Sequence, residues 1–423
     1  MRFRLAAKYD SRRQIGMARP RSSRYVLMCP TTKLRRAIEP RIAFALAFPY
    51  VWKLMSIFSA FSRVWHMAGI LTGLGTAPTP RDEASELRHV DWINRARGIA
   101  MVLVVVGHAI RGLQSNAGVD VGAAQAGLDD AIYLFHMPLF FMLSGLIFSG
   151  VKPGWSATDF IKNRATALVW PIIPWTYIYI GSRVLGGGGA NKPTDWSDLI
   201  LFPLPPFEIF WFLWALFLIQ LIAAPLRGLG PIVLLGAGVG ALFITKIVPS
   251  SCAALFVPAL FSLLPFMIGV ALRDARPRAS IAISVAALAV FALLQTLHAA
   301  DIASSRLEAT VLSSMTALSA SVAIATMPMS AHWPGDRILR LIGRNTMAIY
   351  LTHVIFAAMM RTALLKFGVE DQWFHLALGT LAGCACPFAV ALALRKMGLE
   401  KALGMSAPSR PSPGLKPAAR AAS

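Results

Sequence analysis

Residues 97–114 read RGIAMVLVVVGHAIRGLQ, and the reading of this stretch decides the fold. Between Gly98 and Ile110 every position except His108 is apolar or glycine. A helix of that composition has no polar face to turn toward water, so it is expected to cross a bilayer rather than lie on a core. Comparable stretches recur as far as Leu394. Composition agrees: 56% of the chain is hydrophobic and 14% charged, whereas soluble domains run at about 45–50% and about 25%.

An all-α integral membrane protein with about ten transmembrane helices follows. The spans are expected at roughly 98–114, 131–149, 165–185, 207–226, 231–249, 252–272, 280–299, 308–329, 338–360 and 374–394. If the first span enters from the cytoplasm, the inner loops carry Arg81, Arg88, Arg95, Arg97, Lys152, Lys162, Arg164, Arg227, Arg273, Arg276, Arg278, Arg337, Arg340, Arg344, Arg395, Lys396 and Lys401. The outer loops carry only Arg111, Arg183, Lys192, Lys246, Arg306, Arg361 and Lys366, together with acids that include Asp120, Asp129, Asp130 and Asp301. Positive residues belong inside, so an even span count with both core ends cytoplasmic is expected, in the plasma or inner cell membrane. The net charge of +21 is accounted for by this bias and by basic tails. No zinc spacing or RNA-binding signature accompanies it, so nucleic acid is not an expected partner.

The ends carry less information. Residues 1–66 form a basic extension, to be read either as an interfacial helix or as residues upstream of a natural start at Met67. Residues 67–90 read as a linker, 91–395 as the membrane domain, and 396–423 as a disordered tail. Of the four cysteines, Cys252, Cys384 and Cys386 fall in apolar segments, where a thiol acts as a small hydrophobe; no disulfide framework is evident.

Polar side chains deep in a span are costly and usually face a cavity or a partner. Arg97 and His108 are offset by eleven residues, almost three turns, so they share one helix face about 16 Å apart. His136 lies in the second span. His353 lies in the ninth, on one face with Thr346 and Tyr350. Three imidazoles from three helices can therefore line one water-accessible chamber; the competing reading is three separate packing histidines. A neutral imidazole accepts a proton from a hydroxyl near neutral pH, the use expected here. A metal site is the less favoured use, because no carboxylate ligand or His-x₃-His spacing supports it. At the cytoplasmic rim, Arg97, Lys162, Arg164, Arg344 and Asn345 form a basic group suited to the phosphates of a polyanionic cofactor, although the positive-inside bias alone explains some of them.

The strings that carry these residues resemble the acyltransferase 3 family of membrane O-acyltransferases, nearest its fucose 4-O-acetylase branch. They are Asp91-Trp92 through Arg97-Gly98-Ile99 to Val106-Gly107-His108, and Phe135-His136-Met137-Pro138-Leu139-Phe140-Phe141 ending Leu143-Ser144-Gly145. Trp211-Phe212-Leu213 and Gly343-Arg344-Asn345-Thr346 to Tyr350-Leu351-Thr352-His353 complete the set. The likeness covers about residues 90–395; the chain departs from the family in its 1–66 extension and in having no esterase-like domain after the core. The resemblance implies a ten-helix domain that moves an acyl group, usually acetyl, from acyl-CoA to a hydroxyl of a carbohydrate or lipid-linked glycan. It implies His108 as base or acyl relay, His136 and His353 at the active site, Arg97 on CoA, and Arg164, Arg344 and Asn345 on the cofactor side, without a metal. The rival class is a secondary transporter or flippase, whose pathway also needs intramembrane polar groups; the expected signature of paired broken helices is missing, since Pro171 and Pro174 have no counterpart in another span.

Overall fold

The computed structural model describes residues 83–115, 122–151, 154–186, 208–248, 253–328 and 333–405; the expectations for residues 1–82 and 406–423 fall outside this range. In chain order the helices are α1 (Glu83–Gln114), α2 (Ala123–Leu146), α3 (Ala157–Arg164), a π turn (Ala165–Val169), α4 (Ile172–Gly186), a 3₁₀ turn (Glu208–Phe210), α5 (Trp211–Leu226), α6 (Pro231–Ile244), α7 (Ala253–Ala271), α8 (Ile281–Ala299), α9 (Arg306–Thr326), α10 (Pro334–Arg344), α11 (Thr346–Lys366) and α12 (Gln372–Lys396). Among the described residues eight helices are long and apolar enough to cross a membrane, carried by α1, α2, α5, α7, α8, α9, α11 and α12. The other two expected spans are shorter, α4 at 15 residues and α6 at 14.

The exposed surface confirms the solvent. Only 11% of the apolar window of α8 is buried, with Ile281, Val285, Leu288 and Leu293 each more than half exposed. A continuous apolar face of that kind is a liability in water and is the ordinary state of a helix against lipid. The buried hydroxyls of α9 fit the same solvent. Ser314, Thr316, Ser319, Ser321 and Thr326 each bond a carbonyl three or four residues back, so none needs water.

Two expected spans are revised. The ninth, 338–360, is not one helix: α10 ends at Arg344 and α11 begins at Thr346. Asn345 makes the break, closing α10 with its amide N–H on Ile342 O and its Nδ2 on Leu341 O, while its own carbonyl accepts the first bond of α11 from Ile349. α10 presents Ile338, Leu341 and Trp333 outward with Arg337 and Arg344, the pattern of a helix lying in the interface. The third, 165–185, is broken at Trp170-Pro171. Pro171 has no N–H, and Trp170 donates five residues back to Ala165, which makes the π turn. Ahead of it α3 opens with a reciprocal cap, in which hydrogen bonds from the Ser156 side chain and backbone hold the exposed Asp159 carboxyl below its ordinary range.

Part of the expected 396–423 tail, residues 397–405, is described and has a defined place. Residues 397–405 fold back onto the π turn. Trp170 and Trp175 donate their indole N–H groups to the carbonyls of Ala402 and Leu403, at 2.7 and 2.9 Å, and Met405 is buried. Indole donors in an apolar wall need acceptors, and this segment supplies them.

Helix crossings are set by small residues. α1 packs against α2, α10, α11 and α12, and α2 against α7 and α9. A side chain on Gly98 would collide with the Leu339 backbone, and one on Gly343 with the Asn94 backbone. These two contacts are four residues apart on each helix, the register of an antiparallel crossing. The same device joins α2 to α7, where Gly145 lies on the Phe266 carbonyl and Gly269 on that of Met142. Charges lock the first crossing: Arg95 pairs with Asp336, Arg340 reaches both Asp336 (2.9 Å) and Asp91 (2.6 Å), and Arg344 pairs with Asp91 at 3.3 Å.

Replacing Gly98 or Gly343 by valine is expected to destabilise the protein by about 1–3 kcal/mol or more, because the obstacle is backbone that cannot rotate away. Gly236→Ala, where nothing lies within 4 Å, serves as the control and should be neutral or slightly stabilising in a thermal melt of detergent-purified protein. Asp336→Ala strands the buried Arg95 and should cost about 3–5 kcal/mol in the same assay, whereas Arg344→Ala breaks an exposed pair and should cost about 1 kcal/mol at most.

Candidate active site

Three helices bring the predicted imidazoles toward one place. The rings of His108 on α1 and His353 on α11 are 5.1 Å apart at 60°. His136 on α2 lies within electrostatic reach of His108 and packs edge-on to Tyr133 with centroids 4.6 Å apart. Below them Met101, Val104, Val105, Ile342 and Ile349 form an apolar floor. Gly383 of α12 closes the side, its Cα carrying no atom that would press on Val105 or on His353.

The hydrogen bonds of the ring nitrogens fix their chemistry. His353 Nδ1 lies 3.0 Å from Ile349 O and 2.8 Å from Tyr350 O, and His136 Nδ1 lies 2.7 Å from Ile132 O. A carbonyl can only accept, so Nδ1 carries the proton in both rings and Nε2 is left with its lone pair. His353 Nε2 is fully buried without a hydrogen-bond partner among the described residues. His108 has no hydrogen-bond partner among them either, and it keeps partial exposure although helices surround it. The ring is thus neither sealed in the core nor held by a hydrogen bond from the described residues. An unpartnered acceptor there needs a donor, which a water or a substrate hydroxyl would supply.

Arg97 is in the same situation three turns lower on α1. It is enclosed, partly exposed, and has no ion pair or hydrogen bond among the described residues. The other donor-side candidates have partners of their own. Arg164 bonds Asn163 and reaches Gln220 of α5 at 3.4 Å, Arg344 is drawn to Asp91, and Asn345 caps α10. No hydrogen bond or ion pair joins these four residues to one another among the described residues. The structure therefore gathers the histidines, while the basic rim is dispersed over three helices.

On the opposite side of the histidines stand groups that the sequence reading counted only as loop charges. Arg111 donates through Nε to both oxygens of Asp129, at 3.2 and 3.0 Å, and its guanidinium carbon sits 3.0 Å above the Tyr133 ring. Arg361 reaches the same end of α1, close to Gly112. The three-residue offset of Arg111 from His108, and of Tyr133 from His136, is the signal that would have found them. Among the described residues no three His, Cys, Asp or Glu side chains are arranged to hold a metal ion.

Comparison with known proteins follows this geometry. Two proteins named nodulation protein NolL are similar to the chain. The one from Mesorhizobium japonicum is 30% identical over 123 residues, 29% of this chain and 32% of the relative; the one from Sinorhizobium fredii is 30% identical over 119 residues, 28% and 31% respectively. The matched region thus spans about a third of the length of these curated relatives. No solved structure matches the chain. A family model described as "Acyltransferase domain" matches residues 90–395, well over half of the chain and all of the helices that carry the histidines. The chain belongs to the acyltransferase 3 family.

Proposed function

We propose that this protein moves an acetyl group from acetyl-CoA to a hydroxyl of a carbohydrate or lipid-linked glycan, within the cell membrane and with His108 as the base. The observation that carries the reading is the pair of imidazoles, His108 and His353, 5.1 Å apart between α1 and α11, with Arg97 three turns below on α1 and without a partner among the described residues. A CoA thioester holds its phosphates and its reactive carbonyl at opposite ends of a pantetheine arm, and three helical turns is the kind of separation that arm spans. Arg97 then binds phosphate at the cytoplasmic end, assisted by Arg164, Arg344 and Asn345 at the rim. Membership of the family and the NolL relatives support the reaction class.

The proton balance is simple. His108 takes the proton of the acceptor hydroxyl as its oxygen attacks the thioester carbonyl carbon. The carbon–sulfur bond breaks, and the imidazolium returns that proton to the leaving thiolate. Products are the ester and free CoA, with the enzyme unchanged. The thioester is already activated, so the protein chiefly supplies position and a proton acceptor. His136 and His353, each with Nε2 open, line the cavity and hold the attacking hydroxyl or its water.

His108→Ala should lower transfer by about 10²–10⁴ while leaving the amount of membrane-inserted protein unchanged, measured with radiolabelled acetyl-CoA and by blotting the membrane fraction. Retained turnover would remove His108 from the mechanism. Arg97→Ala should raise the KM for acetyl-CoA about ten-fold or more, with Arg97→Lys partly restoring it, since ammonium keeps the charge and loses the fork.

A further inference from the structure

We infer that Asp129 and Arg111 form the acceptor subsite, gripping a neutral sugar through the hydroxyl adjacent to the one that is acylated. The inference rests on the acyl-transfer reading above and assigns that reaction's second substrate to particular atoms.

Arg111 is one turn beyond His108 on α1. Its attachment is incomplete in a specific way: only Nε bonds Asp129, and both terminal nitrogens lack hydrogen-bond partners among the described residues. The fork, which engages carboxylates in the stronger bidentate form, is left free of Asp129. Here the guanidinium is instead laid flat on Tyr133 and pinned by one nitrogen, with its side chain 46% exposed against 13% for Asp129. Its terminal N–H groups are pre-oriented and unused.

The position relative to the chemistry is fixed by Gly107. A Cβ there would lie 2.9 Å from Tyr133 Cε2 and 3.7 Å from Asp129 Oδ1, so Tyr133 and Asp129 rest directly on the turn that carries His108. Tyr133 in turn touches the His136 ring. One turn outward on the same face of α2, Gln125 is 1% exposed and its Nε2 has no hydrogen-bond partner among the described residues.

Charge selects the ligand class. Within the pair carboxylate and guanidinium cancel, so what the pair itself offers a ligand is hydrogen bonding rather than net charge, with Arg361 nearby at the same end of α1. It offers one acceptor and one set of donors side by side. Vicinal hydroxyls on a pyranose match this, one donating to Asp129 and its neighbour accepting from Arg111. On this assignment a pair of hydroxyls held there presents the next one toward His108, which lies one helical turn back on α1.

The test uses the purified full chain in lipid nanodiscs, acetyl-CoA, a panel of methyl pyranosides, and deoxy analogues lacking one hydroxyl beside the acylated position. In the wild type, removing that neighbouring hydroxyl should raise the acceptor KM about ten- to hundred-fold. Asp129→Asn and Arg111→Gln should raise the KM for the full glycoside by a similar factor and abolish discrimination against the deoxy analogue, with little change in the KM for acetyl-CoA. Arg111→Lys should restore part of the discrimination. Unchanged discrimination in both variants, or acceptor and donor KM rising in parallel as for a merely structural pair, would overturn the assignment. Absence of transfer by the wild type to every glycoside would instead overturn the reaction on which it rests.

Discussion

The close crossing of α1 and α10 is the constraint on which the rest of the molecule depends. Gly98 and Gly343 let the two backbones touch, and the buried Arg95–Asp336 pair keeps them in register. Neither device works alone. Backbones in van der Waals contact gain packing but can slide, and a buried ion pair is poor at generating stability yet good at specifying one arrangement. The crossing sets the direction in which α11 leaves Asn345. His353 lies about two turns along α11, so that direction decides whether its ring meets His108. Motif residues such as Asp91, Gly98, Gly343 and Arg344 are therefore explained by architecture before any chemistry is assigned to them.

Within this frame the polar groups fall into two populations. The hydroxyls of α9 and the amides at helix breaks are satisfied locally, so lipid and core can surround them at little cost. The imidazole Nε2 of His353, the ring of His108 and the guanidinium of Arg97 are not satisfied by the described protein. Unsatisfied groups in an apolar interior are expensive; two of these lie on one face of α1 and the third, on α11, stands against His108, which is the ground for the proposal of a substrate passage there. Arg97 and His108 lie at two levels of α1, with Arg111 and its partner Asp129 one turn beyond.

Much of this was legible in the chain. The membrane fold followed from apolar length, with eight of the ten expected spans found as long apolar helices among the described residues, and the offset of eleven residues put Arg97 and His108 on one face of a regular helix. What could not be read was anything dependent on a break or a long-range pair. Ile338, Leu339, Leu341 and Ile342 let 338–344 merge with the following span despite Arg340 and Arg344 until Asn345 caps it, and Trp170-Pro171 divides the third span by removing one N–H. Arg344 reads as a phosphate ligand from composition alone; only the fold places Asp91 beside it. Asp129 and Arg111 were legible as residues but not as neighbours, because loop charges at the ends of two helices carry no signal of their pairing until the helices are laid side by side.

The most direct measurement is an electron cryomicroscopy structure of the full chain in a lipid nanodisc with acetyl-CoA bound. The account predicts the phosphates against Arg97, the thioester carbonyl beside His108, and the His353 ring in contact with His108 in the same cavity. Acetyl-CoA seated away from α1, or a His108 side chain facing lipid and remote from His136 and His353, would contradict it.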